Sequence, residues 1–180
     1  MQKLPKITES KIIAESRFFK IESLALEFNN GVQRVYERLP AVGEQGVIVV
    51  AVNAEDELLL IREYAAGFHE FQLTLPKGGA EVGESLEQAA QRELAEEVGF
   101  GARHVEFVKN LSLAPGHMGF TINVMFARDL FEHQLPADEP EPPEIVRWPI
   151  AKLDELLHSN DFNEARAIAA LYLCKHKLMD

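Results

Sequence analysis

One cysteine, one tryptophan and a shortage of base relative to acid set the first limits on this chain. A lone cysteine, Cys174, rules out any disulfide within the chain. It falls in an expected helix and reads as a small buried side chain rather than a nucleophile. No apolar run approaches the about 18 residues of a membrane span, and MQKLPKITES has no apolar stretch of signal-peptide length. The expectation is a soluble, cytoplasmic chain. Lys and Arg number 18 against 29 Asp and Glu, a net charge of −11, which argues against non-specific binding to nucleic acid or an anionic membrane. An anionic substrate must then be met by a local cationic cluster or by metal ions. Internal repeats are absent, and 180 residues of ordinary globular composition are expected to form one domain, 1–180.

What is present begins with strands. Ile12 to Phe19 and Ile21 to Phe28 alternate loosely, and Asn29-Asn30-Gly31 is a hairpin turn into Val32 to Leu39. Gly46 to Asn53 and Glu57 to Tyr64 read as a second hairpin around Ala54-Glu55-Asp56. In its first strand Ile48, Val50 and Val52 share one face, and Val47 and Val49 make the other apolar too, as in a strand buried on both sides. Further strands are expected at Val105 to Ser112 and Thr121 to Arg128. Residues 132–144, EHQLPADEPEPPE, hold four prolines and five acids without periodicity and predict an exposed loop before the strand-like IVRWPI. Helices are expected over Ala151 to His158 and Phe162 to Lys177, the second introduced by Asp161 with Glu164 three residues on. Strands around one helix, then helices at the end, argue a mixed sheet between helices, an α/β fold.

The chemistry concentrates between Gly78 and Phe100, GGAEVGESLEQAAQRELAEEVGF. Ser85 with Gln88 forms a capping box and Gly99 a C-terminal stop, so a helix lies between them. With Leu86 at zero and roughly 100° per residue, Ala90, Leu94 and Val98 fall at about 40°, 80° and 120° and Ala89 at about −60°. Glu93 and Glu97 fall at about −20° and 20°, inside that apolar arc, with Glu96 flanking it at about −80°. Acids half-turned into a core cost several kcal/mol unless something neutralises them. Oxygen ligands at i and i+4 converge naturally on Mg²⁺, with Mn²⁺ or another divalent cation able to substitute. Glu87, Gln91 and Arg92 suit an ordinary solvated face; Glu93 and Glu97 do not. Clustered acids resist joint ionisation and serve poorly as an acid–base pair. They serve well at holding Mg²⁺ beside a diphosphate, so metal-assisted hydrolysis is the reaction class they imply.

The same segment resembles the Nudix box, Gly-x5-Glu-x7-Arg-Glu-hydrophobic-x-Glu-Glu-x-Gly-hydrophobic, at every defined position. The wider arrangement is similar to the ADP-ribose pyrophosphatase branch of the Nudix hydrolases: YERL, LIREYA, the box, Pro115 sixteen positions after Gly99, DEPEPPEIVRWP and DFNEARAIAALYL. The resemblance implies an α/β/α sandwich with a mixed sheet and extra N-terminal antiparallel strands. It also implies hydrolysis of a nucleoside diphosphate linked to another moiety. Glu93 and Glu97 match glutamates that ligate metal. Glu96 matches one that binds a second ion or polarises water, and the carbonyl before the box glycine, here Lys77, is a further ligand. Glu84 and Arg92 match a pair that orients the loop against the helix. A catalytic glutamate belongs on a loop where this chain has Asp138, Glu139, Glu141 and Glu144, with Glu144 or Glu141 favoured. Relatives in this branch are dimers through N-terminal strands, here about residues 10–40, so a homodimer is implied.

Substrate recognition is less sharply written. Pro115-Gly116 favours ADP-ribose-like substrates over nucleoside triphosphates by the same resemblance. Thr74-Leu75-Pro76 replaces the Glu-Leu-Pro found in many relatives, and His117 to Thr121 lacks an acid common after the Pro-Gly. Those departures fit a broader range of ADP compounds: ADP-ribose, diadenosine polyphosphates and NADH. Arg34, Arg38 and Arg62 are candidates for gripping the diphosphate, because the guanidinium fork suits phosphate oxygens. Tyr36 or Phe120 could stack on adenine. The alternatives are a hydrolase of another sugar nucleotide such as GDP-mannose, or a non-catalytic nucleotide sensor. A sensor usually loses one of the box glutamates that are all kept here.

Overall fold

A computed structural model describes residues 3–41, 46–137 and 140–179; Asp138 and Glu139 lie outside the described residues. The chain divides into two compact units, Met1–Gly43 with Ser112–Thr121, and Glu44–Leu111 with Ile122–Asp180. Among the described residues no helix is long and apolar enough to cross a membrane.

The first unit is built on an antiparallel sheet of three strands, β1 (Lys6–Glu15), β2 (Lys20–Glu27) and β3 (Gln33–Arg38), in that order. The Asn29–Gly31 turn joins β2 to β3 as expected, with the Gly31 N–H donating to the Phe28 carbonyl at 2.9 Å. The first strand is a correction. It begins at Lys6, not Ile12, and ends before a turn in which the Ser16 hydroxyl accepts from the Phe19 N–H at 3.0 Å. All ten residues of β1 are exposed, and its register slips between Ile7 and Glu9 and between Ile12 and Ala14. A strand exposed on both faces and interrupted by bulges has no apolar alternation to read.

The second unit contains β4 (Gly46–Ala51), β5 (Glu57–Ala65), β6 (Glu70–Thr74), β7 (Lys77–Gly79), α1 (Leu86–Glu97), β8 (Phe100–Ser112), β9 (Thr121–Glu132) and β10 (Glu144–Pro149). A single 3-10 turn (Ile150–Lys152), α2 (Leu153–Leu157) and α3 (Ala165–Met179) close the chain. Four strands form a mixed sheet in the order β7-β4-β9-β8, with β4 parallel to β9. Three form an antiparallel sheet in the order β10-β5-β6. The expected β4–β5 hairpin is therefore corrected: the turn forms, with the Asn53 side chain accepting from Glu57 N–H at 2.8 Å, but after one bridge at Val52 and Leu58 the strands enter different sheets. Both strands are apolar on both faces, so hydropathy marks them as buried without naming their neighbours.

The two faces fill two cores. Ile48, Val50, Leu58, Leu60, Val124 and Phe126 pack against Leu153 and Leu156 of α2 and Ala167, Leu171 and Cys174 of α3. Val47, Val49, Leu59, Ile61 and Met125 pack against Ala89, Ala90, Leu94 and Val98 of the α1 segment. Helices thus cover both sides of the strands, the α/β/α arrangement expected. The α3 start is a third correction: the helix begins at Ala165, and Asp161 binds Arg62 instead of capping it.

Candidate active site

α1 begins as its sequence dictates. The Ser85 hydroxyl accepts from the Gln88 N–H at 3.2 Å, the Gln88 side chain accepts from the Ser85 N–H at 2.8 Å, and Gly99 follows the helix with φ of 75°. This frame turns Glu93 and Glu97 to the apolar side. Glu93 is only 7% exposed, beside Leu94 and Ala95, which are fully buried. Its carboxylate lies against the Cα of Gly78 in β7, where any Cβ would collide with it. Glycine here thus leaves the Glu93 carboxylate its place, which any larger residue would make it give up.

Arg92 organises the neighbouring acids. Its guanidinium donates to Glu84 at 3.1 and 3.2 Å, to Glu93 and Glu96 at 2.8 Å each, and to the Gly79 carbonyl at 2.6 Å. Burial alone would lower the Arg92 pKa, but Glu84, Glu93 and Glu96 together hold it well above its ordinary value. Burial likewise pushes Glu84 up, and the guanidinium with the Glu81 N–H outweighs it and leaves the carboxyl lowered. The Glu84–Arg92 pair thus ties the loop to the helix. Among the described residues no three acidic, histidine or cysteine side chains close on one point, and Arg92 bridges Glu93 and Glu96.

Glu97 is held by the main chain of β7. Its carboxylate accepts the Lys77 main-chain N–H at 2.9 Å. Burial, reinforced by the charges of Glu93 and Glu63, raises its pKa to about 8, against the opposing pull of that N–H and the Lys77 charge. The donor type suits a hard divalent cation, since Glu93, Glu96 and Glu97 offer carboxylate oxygens, although the three do not converge on one point here.

The Lys77 ammonium leads onward, pairing with Glu63 of β5. Glu63 lines a pocket of about 580 Å³ together with Arg62, Tyr64, Phe71, Glu141, Glu144 and prolines 140, 142 and 143. Arg62, Glu141 and Glu144 are thereby brought to one cavity, and Glu63 links its lining to Lys77, whose main-chain N–H holds Glu97. Arg62 is already engaged: it holds Asp161 by two hydrogen bonds of 2.9 and 2.7 Å and lies 3.5 Å from Glu144. The Asp161 hydrogen bonds raise the Arg62 pKa and lower that of Asp161. Arg34, Arg38 and Pro115 belong to the first unit. There Arg38 pairs with Glu22 at 2.6 Å, and Arg34 donates to the Gln33 carbonyl at 2.8 Å. The sequence did not single out Glu63, and it read Asp161 and Glu164 only as a helix-capping pair. Each is an unremarkable acid until folding supplies its cation, and only the oddity of an acid within the apolar LLLIREY run hinted at Glu63.

An intact box helix on a mixed sheet defines the class: the chain belongs to the Nudix hydrolases, the NUDIX domain matching residues 44–172. A NudE-type Nudix hydrolase N-terminal domain matches residues 5–38. The chain is 47% identical to the ADP compounds hydrolase NudE of Escherichia coli (strain K12), covering 97% of this chain and 93% of that protein. It is 26% identical to the ADP-ribose pyrophosphatase of Bacillus subtilis (strain 168), covering 92% of each. A crystal structure of an ADP compounds hydrolase superposes with a TM-score of 0.94 at 45% identity, over 99% of this chain and 96% of that one.

Proposed function

We propose that the chain is a Mg²⁺-dependent pyrophosphatase of ADP-linked compounds. It adds water across the diphosphate linkage of ADP-ribose, diadenosine polyphosphates or NADH, releasing AMP and a second phosphorylated product. The observation that carries this reading is the pair Glu93 and Glu97 on the apolar side of α1, one buried against Gly78 and the other held by the Lys77 N–H. The names of the relatives, ADP compounds hydrolase and ADP-ribose pyrophosphatase, support the substrate class.

Glu93, Glu96 and Glu97, with the Lys77 carbonyl, supply the oxygen donors for the cation, and Mn²⁺ or another divalent ion can substitute. When bound, the cation neutralises diphosphate oxygens and makes water more acidic. Glu141 and Glu144 line the pocket and are the candidates to accept the proton of the attacking water at a carboxylate oxygen. Arg62 orients the diphosphate from the same pocket, its geometry set by Asp161. Arg34 and Arg38 are the further candidate phosphate contacts, and Pro115 shapes a substrate-binding turn. We also assign the protein to the cytoplasm, where such substrates are dissolved, and read it as a homodimer formed through the N-terminal strands.

The test is product formation from ADP-ribose, NADH, diadenosine triphosphate, GDP-mannose and dGTP, with Mg²⁺ or EDTA, using wild type and Glu97→Gln. AMP release from the first three that needs Mg²⁺, with Glu97→Gln slower by at least about 100-fold, is the expected result. Turnover confined to GDP-mannose or dGTP overturns the substrate class. Tight nucleotide binding without turnover favours a sensor.

A further inference from the structure

Strand β7 has three residues and two are glycines, so Lys77 is its only side chain able to anchor it. The strand pairs with β4 at just Gly46, Val47 and Ile48. Yet this peptide presents the N–H that holds Glu97 and abuts the glycine against which Glu93 rests. Something must hold Lys77. Its side chain is 11% exposed, and a buried ammonium is tolerated only when paired.

Two carboxylates pair it. Glu63 of β5 makes the direct contact, and Glu164, at the head of α3, has its Oε2 at 4.0 Å. Glu164 is itself fixed, since its Oε2 accepts the Thr74 hydroxyl at 2.6 Å and its Oε1 pairs with Arg166. Thr74 is 1% exposed, and a hydroxyl so buried requires a partner. β5, β6, β7 and the start of α3 therefore converge on one ammonium.

We infer that Glu164, Thr74 and Glu63 are positioning residues: they hold the Lys77 side chain, and through its main-chain amide they aim Glu97 at the divalent cation. The inference rests on the metal assignment under the proposed function. Outer partners of this kind typically change metal affinity 10- to 100-fold when removed, though they do not ligate the ion. A network that merely fastened α3 to the sheet would change thermal stability instead.

The experiment titrates Mn²⁺ into nucleotide-free protein by calorimetry and separately measures KM for ADP-ribose at saturating Mg²⁺. Wild type is compared with Glu164→Gln, Thr74→Val, Lys77→Met and Lys77→Arg, with Glu97→Gln as reference. Glu164→Gln and Thr74→Val are expected to weaken Mn²⁺ binding about 10-fold, and Lys77→Met at least as much. Lys77→Arg, which keeps the cation, should recover most of the loss. For Glu164→Gln and Thr74→Val, KM at saturating metal should stay within about twofold. Wild-type Mn²⁺ affinity in the Glu164, Thr74 and Lys77→Met variants, with lowered melting temperature, overturns the inference while Glu97→Gln still binds weakly. Should Glu97→Gln also bind as wild type, the metal assignment itself falls. Should Glu164→Gln fail to fold, the isosteric Thr74→Val carries the comparison.

Discussion

Glu97 sits where the helix pattern alone would place a leucine or alanine, and its environment shows the consequence. Burial raises its pKa from an ordinary 4.5 to about 8, so the folded metal-free protein keeps a proton that the unfolded chain releases. The sign follows from linkage: the contribution to stability is full below pH 4.5 and is lost as pH rises through about 8. In EDTA, the melting temperature of wild type minus that of Glu97→Gln should therefore fall across this window. A difference that is flat with pH, or that rises, contradicts the raised pKa. Taking the difference removes Glu84 and Asp161, whose lowered pKa values act in the opposite direction, losing stability as pH falls. Glu93 and Glu97 were legible as misplaced acids because helix geometry fixes their direction from local spacing. Glu164 was not, since its partner Thr74 is ninety positions away. The same limit applies to Arg62, which reads as a free phosphate-binding arginine until folding brings Asp161 to it.

At the scale of elements, α1 is the piece on which the candidate site is mounted, and its start is defined by Ser85. Removing that hydroxyl leaves the Gln88 N–H without its acceptor at the open end of the helix. Ser85→Ala should cost about 1 kcal/mol. For a domain of this size the melting temperature should fall by about 2–4 °C, read by calorimetry. No change would mean that the loop ties through Glu84 and Arg92 suffice to hold the helix end. Helix α1 was fully readable because caps and stops are local. Strand β7 was not: a lysine and two glycines carry no strand signal, and only the edge of β4 makes them one. Strands β4 and β5 were readable as strands but not as partners, because two doubly apolar strands fit many neighbours equally well.

In the whole molecule the charge and the N-terminal sheet ask the remaining question. Ile7, Ile12, Ile13, Val35 and Tyr36 are exposed on a sheet whose β1 and β3 bury none of their residues within one chain. A chain of net charge −11 does not gather nonspecifically, so such apolar exposure favours a specific interface. Light scattering coupled to size exclusion should give twice the 20.2 kDa chain mass. Ile12→Glu with Val35→Glu should return the mass toward one chain without lowering helix content. A monomeric wild type would remove the dimer from the proposed function. By itself the sequence determined the box helix with its caps, its two core-facing glutamates, the Asn29–Gly31 turn and the doubly buried strand at Val47 to Val52. Each is a pattern within one element, where backbone geometry converts spacing directly into direction. Only the tertiary structure decided that β4 and β5 part into different sheets, that Asp161 binds Arg62, and that Glu63 and Glu164 meet at Lys77. Those depend on which distant strand or helix arrives beside which, and a charge read in isolation carries no record of the partner that will neutralise it.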